Sequence, residues 1–197
     1  MTTVVRPYRG VSADERRARR RARLKEVCLD LIGESGVVSV TAEAVAGRAE
    51  LTKRYFYESF ADRDALLHEV MDDFFTEVRA EMLEALGSAG SCPLDRAHVV
   101  ASVLINFLER DRRRARLYIE AAGQPTLQAR REQAFDAFTR LLLDNVAEAK
   151  SDGHELAALI IVAGTTQAAI SWLQGAVKMP REQVIAEIAR MIIAALP

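Results

Sequence analysis

The sequence predicts an all-α protein of about nine helices, and three observations predict it. Apolar residues recur three and four positions apart along nearly the whole chain, which places them on one face of a helix. No run alternates apolar and polar residues with the period of two that a half-buried strand requires. Residues that start and stop helices fall at the ends of the periodic runs, not inside them.

Taken in order, Ser12 and Glu15 make the pattern of a capping box ahead of the first helix. Leu24, Val27, Cys28, Leu31 and Ile32 give that helix a buried face, and Gly33 and Gly36 bracket its end. Thr41 is placed to cap a short second helix whose inward residues are Val45 and Ala49. A turn at Glu50 leads to a third short helix beginning at Thr52, with Leu51, Phe56 and Phe60 as its apolar side. Asp62 is the expected N-cap of a long fourth helix striped by Leu66, Leu67, Val70, Met71, Phe74, Phe75, Val78, Met82 and Leu86. Gly87–Pro93 reads as a loop. Helices are then expected over 95–110, 112–122, 125–150, 154–176 and 181–195, with Asp152 and Glu155 as a cap pair and Pro180 in a first turn. Residues 1–62 make a small three-helix unit and residues 63–197 a larger helical body. A three-helix unit of that size is marginal alone and should lean on the first turns of the fourth helix.

Composition narrows the class. A chain of 197 residues, half of them hydrophobic, can bury a substantial core. No apolar run approaches the roughly 18 residues of a membrane span, and the arginine-rich N-terminus is unlike a secretory signal. Cys28 and Cys92 fit no metal or redox spacing, which points to a reducing cytoplasm. His68, His98 and His154 are isolated, so no metal site is expected. No phosphate loop, nucleophile elbow or catalytic constellation is legible, so neither an enzyme nor a cofactor is expected. The net charge of −1 hides an asymmetry: residues 1–63 hold 13 Lys/Arg against 9 Asp/Glu, and residues 64–197 hold 14 against 19. A basic front and an acidic rear suit a chain that presents one end to a polyanion.

The most informative stretch is Thr41–Leu67, TAEAVAGRAELTKRYFYESFADRDALL. It reads as a helix, a tight turn and a second helix crowded with hydroxyls, cations and aromatics, the equipment for phosphates and base edges in a major groove. Thr52 is placed to cap that helix and set its first amides near a phosphate. Lys53 and Arg54 stand where side chains reach base edges, and arginine is the best bidentate reader of guanine. Tyr55 can pack on a thymine methyl or touch a phosphate, and Tyr57 can donate to the backbone while its ring packs inside. Thr41 and Arg63 are placed to grip flanking phosphates. Phe56 and Phe60 read as core. The bland alternative is an amphipathic helix with a solvated basic face. For the arm from Arg6 to Lys25, two readings stand: a tail that reaches a minor groove, or a solvated helix start that adds long-range attraction.

Gly36, Val40, Thr41, Ala46, Thr52, Lys53, Tyr57, Phe60, Asp62, Arg63, Asp64 and Leu66 fall in a pattern that resembles the DNA-binding region of the tetracycline-repressor (TetR) family of bacterial transcriptional regulators. The match covers about a quarter of the chain. One departure stands out: the family usually carries glycine in the turn where this chain has Glu50. If that residue has positive φ, a side chain there costs about 1 kcal/mol.

The resemblance implies a repressor that leaves a palindromic DNA operator when a small-molecule effector binds. It also implies a cytoplasmic homodimer paired through its last two long helices. Ala157, Ala158, Gly164, Ala168 and Ala169 are small enough for close helix approach, and Val184, Ile188, Met191 and Ile192 stripe the final helix. An intramolecular core is the other reading of these residues. The implied effector pocket draws its candidates from Phe74, Phe75, Val78, Met82, Leu104, Phe107, Tyr118, Phe135, Phe138, Thr166, Gln167 and Trp172. Plain core is the other reading for each, and Asn106 and Gln167 read as helix-packing hydrogen bonders. The rival from another class is a helical small-molecule-binding or enzymatic protein whose basic front is incidental. A protein-interaction module that keeps the motif as scaffold is a third reading.

Overall fold

A computed structural model describes residues 12–147 and 151–196. Every regular element among them is helical: α1 (Ala13–Ser35), a 3-10 turn (Val37–Ser39), α2 (Ala42–Arg48), α3 (Lys53–Ser59), α4 (Arg63–Ser88), α5 (Pro93–Arg110), α6 (Arg112–Ala121), α7 (Pro125–Asn145), α8 (Asp152–Leu173) and α9 (Arg181–Ala195). The all-α expectation holds for the described residues. Arg6 and Arg9 of the basic arm, and the expected helical residues 148–150, lie outside them.

The chain divides into two compact units, Met1–Val70 and Met71–Pro197. The sequence placed the division after residue 62; the structure puts it inside α4. The reason lies in the bonds made by the first turns of α4. Arg63 Nε and Nη2 donate to the carbonyls of Val40 (2.7 Å) and Val37 (2.9 Å). Arg21, on α1, donates to the Glu69 carboxylate through Nε (3.1 Å) and Nη2, and to the Ser59 carbonyl. Its guanidinium also lies over the Phe60 ring, 4.2 Å from the centroid. These contacts bind the start of α4 to the N-terminal unit.

In that unit the local signals act as the sequence suggests. Ser12 and Glu15 close a capping box, Glu15 N to Ser12 Oγ at 3.0 Å and Ser12 N to Glu15 Oε2 at 2.9 Å. Gly36 stops α1 at φ 84°, its N–H bonded to the Ile32 carbonyl. Thr41 Oγ1 accepts from Ala44 N at 3.0 Å, and Asp62 Oδ1 from Ala65 N at 2.7 Å. Leu24, Val27, Cys28, Ile32, Val45, Phe56, Leu66 and Leu67 are fully enclosed and form the core. Burial pushes the Cys28 thiol up to about 12, so it packs as a neutral apolar side chain.

The C-terminal unit departs from expectation at its joints. α4 runs through Gly87 to Ser88, so the loop is shorter than Gly87–Pro93. Ser151, not the Asp152–Glu155 pair, caps α8: its Oγ accepts from His154 N at 3.3 Å. Pro180 sits at the N-cap of α9, one residue ahead of the helix. The basic run 109–116 folds back on the chain's own acids, Arg110 on Glu81, Arg113 on Asp111 and Arg114 on Glu77. Asn106 accepts from Arg181.

One expectation about α8 is corrected. Its segment Gly153–Leu173 spans 21 residues, and its most apolar 18-residue stretch has a mean hydropathy of 1.7, long and apolar enough to cross a membrane. Small residues and threonines break the run to the eye but leave the average apolar. Only 22% of its most apolar stretch is buried within the chain.

Candidate nucleic-acid interface and apolar cavity

Helix α3 is seven residues long and buries one of them, Phe56. Phe56 is the peg that seats the helix; its ring meets Phe60 at 6.0 Å. Everything else on the helix stays outward or at the rim, and that follows from the sequence KRYFYES, which offers the core a single large apolar group. Lys53, Arg54, Tyr55 and Tyr57 are therefore brought together on one exposed surface, with Thr52 at the N-cap position and also exposed.

The two cations are not idle in the free chain. Lys53 Nζ pairs with Glu43 on α2 at 2.9 Å, and Arg54 Nε with Glu58 one turn on at 2.8 Å. The hydrogen bond to Glu58 holds the Arg54 guanidinium above its ordinary pKa, and its side chain is 85% exposed. Exposed pairs of this kind are worth little, so either cation can leave its carboxylate at small cost.

Three side chains depart from their expected roles. Thr52 occupies the cap position without making a side-chain cap bond. The Tyr57 ring does not pack inside: it is 57% exposed and meets Phe56 edge-on at 5.4 Å. The position opposite the core is already filled by Phe56, one residue back. Arg63 is half-buried and commits its guanidinium to the carbonyls of the 3-10 turn, so here it positions the approach to α2. Thr41 is exposed and caps α2.

Sequence reasoning missed Arg20. On α1 it places its guanidinium 4.7 Å from the Tyr55 ring centroid and so orients the one tyrosine expected to meet a base. The only available signal was its position in an arginine cluster, which does not distinguish it from Arg17, Arg19 or Arg23, all exposed.

The turn at Glu50 resolves the question its side chain posed. Glu50 has φ 59°, the left-handed region that favours glycine. Its N–H reaches the Gly47 carbonyl at 3.1 Å, and Leu51 N reaches the Ala46 carbonyl at 2.9 Å. These are the paired bonds of a helix end closed by a left-handed residue. The turn thus keeps the shape that glycine would give it and carries the strain. Glu50→Gly is expected to raise stability by about 1 kcal/mol, a few degrees in Tm, with Glu50→Asn between the two. Thermal unfolding of the three chains checks this; a less stable glycine variant would show that the side chain earns more elsewhere than its backbone costs.

The C-terminal unit holds a partly open apolar cavity of about 60 Å³. Of the pocket candidates, Phe74, Phe75, Val78, Met82, Leu104, Tyr118, Phe135, Phe138 and Thr166 line it. Phe107, Gln167 and Trp172 do not. Phe107 is fully buried behind Phe74, ring to ring at 5.3 Å. Gln167 is exposed and reaches Ser171, and the Trp172 indole N–H donates to the Met179 carbonyl at 3.0 Å. Tyr118 stacks on Phe74 at 5.4 Å. Burial pushes its hydroxyl up to about 12, against the opposing pull of the Thr166 hydroxyl and the Arg131 guanidinium, so it stays protonated.

The interface candidates on α8 and α9 split in two. Ala158, Ala169, Val184, Ile188 and Ile192 are consumed by the chain's own core, Ile188 and Ile192 at the cavity wall, and offer nothing to a partner. Gly164 and Ala168 are exposed, Met191 is 52% exposed and Ala157 is half-buried. The outer face of α8 carries three residues not singled out from sequence: Leu156 and Ile160, each 60% exposed, and Leu159, 42% exposed. Together with Ala163, Gly164, Gln167 and Ala168 they follow a three–four spacing along one side of the helix.

Solved structures share this architecture. A TetR-family transcriptional regulator from Streptomyces coelicolor matches at a TM-score of 0.73 and 16% identity, over 90% of this chain and 80% of that one. A TetR-family regulator from Rhodococcus sp. matches at 0.75 and 16%, over 91% of this chain and 100% of that one. The multidrug binding protein EbrR, in complex with imidazole, matches at 0.65 and 21%, over 87% and 94%. No family model matches the sequence, and no curated protein does. The chain has the all-α fold of the TetR-family regulators.

Proposed function

We propose that this chain is a dimeric, DNA-binding transcriptional regulator, a repressor released from a palindromic operator by a small molecule. The observation that carries the reading is the outward surface of α3. A seven-residue helix is pinned by one phenylalanine and presents Lys53, Arg54, Tyr55 and Tyr57 to solvent, and the fold is one it shares with known regulators. Backbone phosphates would meet Thr41, Thr52 and Lys53, and base edges would meet Arg54 and Tyr55. The exposed cations Arg17, Arg19 and Arg23 on α1 add attraction for a polyanion.

The outer face of α8 supports the dimer. A helix that leaves Leu156, Leu159 and Ile160 in water beside Gly164 and Ala168 has an apolar strip with room for a second helix against it. A second copy brings a second α3, and two reading helices about 34–36 Å apart meet successive major grooves of a palindrome. The apolar cavity is the seat for the effector. The neighbours of this fold are regulators, which favours a binding protein over an enzyme.

Selection of genomic fragments by the purified chain tests the proposal. The expected outcome is enrichment of one inverted repeat with half-sites about one helical turn apart. Retention of DNA without any enriched sequence would assign the motif to scaffolding and favour an interaction module.

A further inference from the structure

The cavity of the C-terminal unit restricts the chemistry of its occupant. Among the described residues, those lining it include no Asp, Glu, Lys, Arg or His. Its polar side chains are Tyr118, Thr165 and Thr166; the rest are aliphatic, aromatic or thioether. The Thr166 hydroxyl is already engaged, donating to the Val162 carbonyl at 2.9 Å. An ammonium group brought here would lose its hydration and gain no opposite charge, and a carboxylate would have only the Arg131 guanidinium, which acts on Tyr118 from outside the lining. Size adds a second restriction. An engineered protein cavity of about 150 Å³ with a comparable lining stays dry and takes benzene. The present 60 Å³ therefore has to widen even for one ring, and the flexible Met82 and the half-buried Phe75, Phe135 and Phe138 are the lining groups free to move.

We infer that the cavity admits a small uncharged molecule, mostly hydrocarbon, with one hydrogen-bonding group turned towards Tyr118 and Thr165, and that it rejects carboxylates and ammonium ions of the same body. The inference rests on the regulator reading only in calling that molecule an effector; the selectivity rests on the lining.

The full chain, without DNA, is titrated with octanol, octanoate and octylammonium, and Tm is followed. Octanol is expected to raise Tm, and the two ions to bind at least about tenfold more weakly. Fluorescence of the neutral N-phenyl-1-naphthylamine should be displaced by octanol, and its sulfonated analogue should stay dark. Leu104→Trp, which fills the cavity, is expected to abolish the octanol shift. Thr165→Leu serves as the second variant should Leu104→Trp fail to fold by circular dichroism, and should weaken octanol by removing a polar anchor. An ion that matches octanol, the absence of a shift with all three compounds, or an octanol shift untouched by the folded variants overturns the inference. DNA affinity is read separately: a chain that selects octanol yet retains no DNA sequence keeps the inference and loses the regulator reading.

Discussion

A chain carrying Leu156→Asp and Ile160→Asp is expected to sediment as a monomer and to lose operator affinity by about 10²–10⁴-fold. The wild-type chain is expected to sediment as a dimer. Both residues are 60% exposed on the outer face of α8, so the substitutions remove nothing from the chain's own core. Two carboxylates on each copy would face two on the other across an apolar seam, where like charges are desolvated without partners. The loss at the operator exceeds what either reading helix contributes alone, because a single copy forfeits the effective concentration that holds the second helix over the adjacent groove. Analytical ultracentrifugation and gel shift, run on the same preparations, check it. A double variant that remains dimeric would move the interface off this face.

The second large effect belongs to α3. Arg54→Ala/Tyr55→Ala should leave the fold intact and weaken operator binding about a hundredfold, since each good base contact carries about 1–3 kcal/mol. Neither side chain is buried. The loss in stability is limited to an exposed ion pair with Glu58 and the Arg20 contact, both small. The salt dependence of binding discriminates between roles. Loss of base readers lowers affinity with a nearly unchanged salt slope, whereas Lys53→Ala, a phosphate contact, should reduce the slope by about one unit. Unchanged operator affinity in the double variant would remove α3 from the groove.

The helices were legible because their signals are local. A capping box at Ser12 and Glu15, a stop at Gly36, and caps at Thr41 and Asp62 each act within one turn of chain, and each appears in the structure where its spacing puts it. Composition likewise showed which residues of α3 crowd together. What stayed illegible was the direction each side chain faces once a neighbouring helix arrives. Tyr57 and Phe56 are both aromatic and adjacent; only packing decides that Phe56 enters and Tyr57 stays out. Arg20 and Arg23 are alike in sequence, yet one lies on Tyr55 and the other is exposed. On α8, periodicity cannot separate two apolar faces of one helix: Ala158 and Ala169 enter the chain's own core, and Leu156 and Ile160 do not. Nine of the twelve pocket candidates meet at one cavity: those on α4 and α7 repeat at helical spacing, while Leu104, Tyr118 and Thr166 come singly from α5, α6 and α8. Phe107 is displaced by its own neighbour Phe74, a second-layer effect with no trace in spacing.

The seam between the two units falls within α4, a continuous helix, and not in a loop. A loop absorbs motion as slack; a helix behaves as a rod with a fixed rise of about 1.5 Å per residue. Phe74 and Val78, at the cavity wall, lie one and two turns beyond Val70 on that rod. Before the seam, α4 is tied to the rest of the N-terminal unit by Arg63 in its first turn and by the Arg21–Glu69 pair. The helix that carries part of the cavity wall is therefore the same one whose first turns Arg63 and Arg21 hold, with no loop between the two stretches.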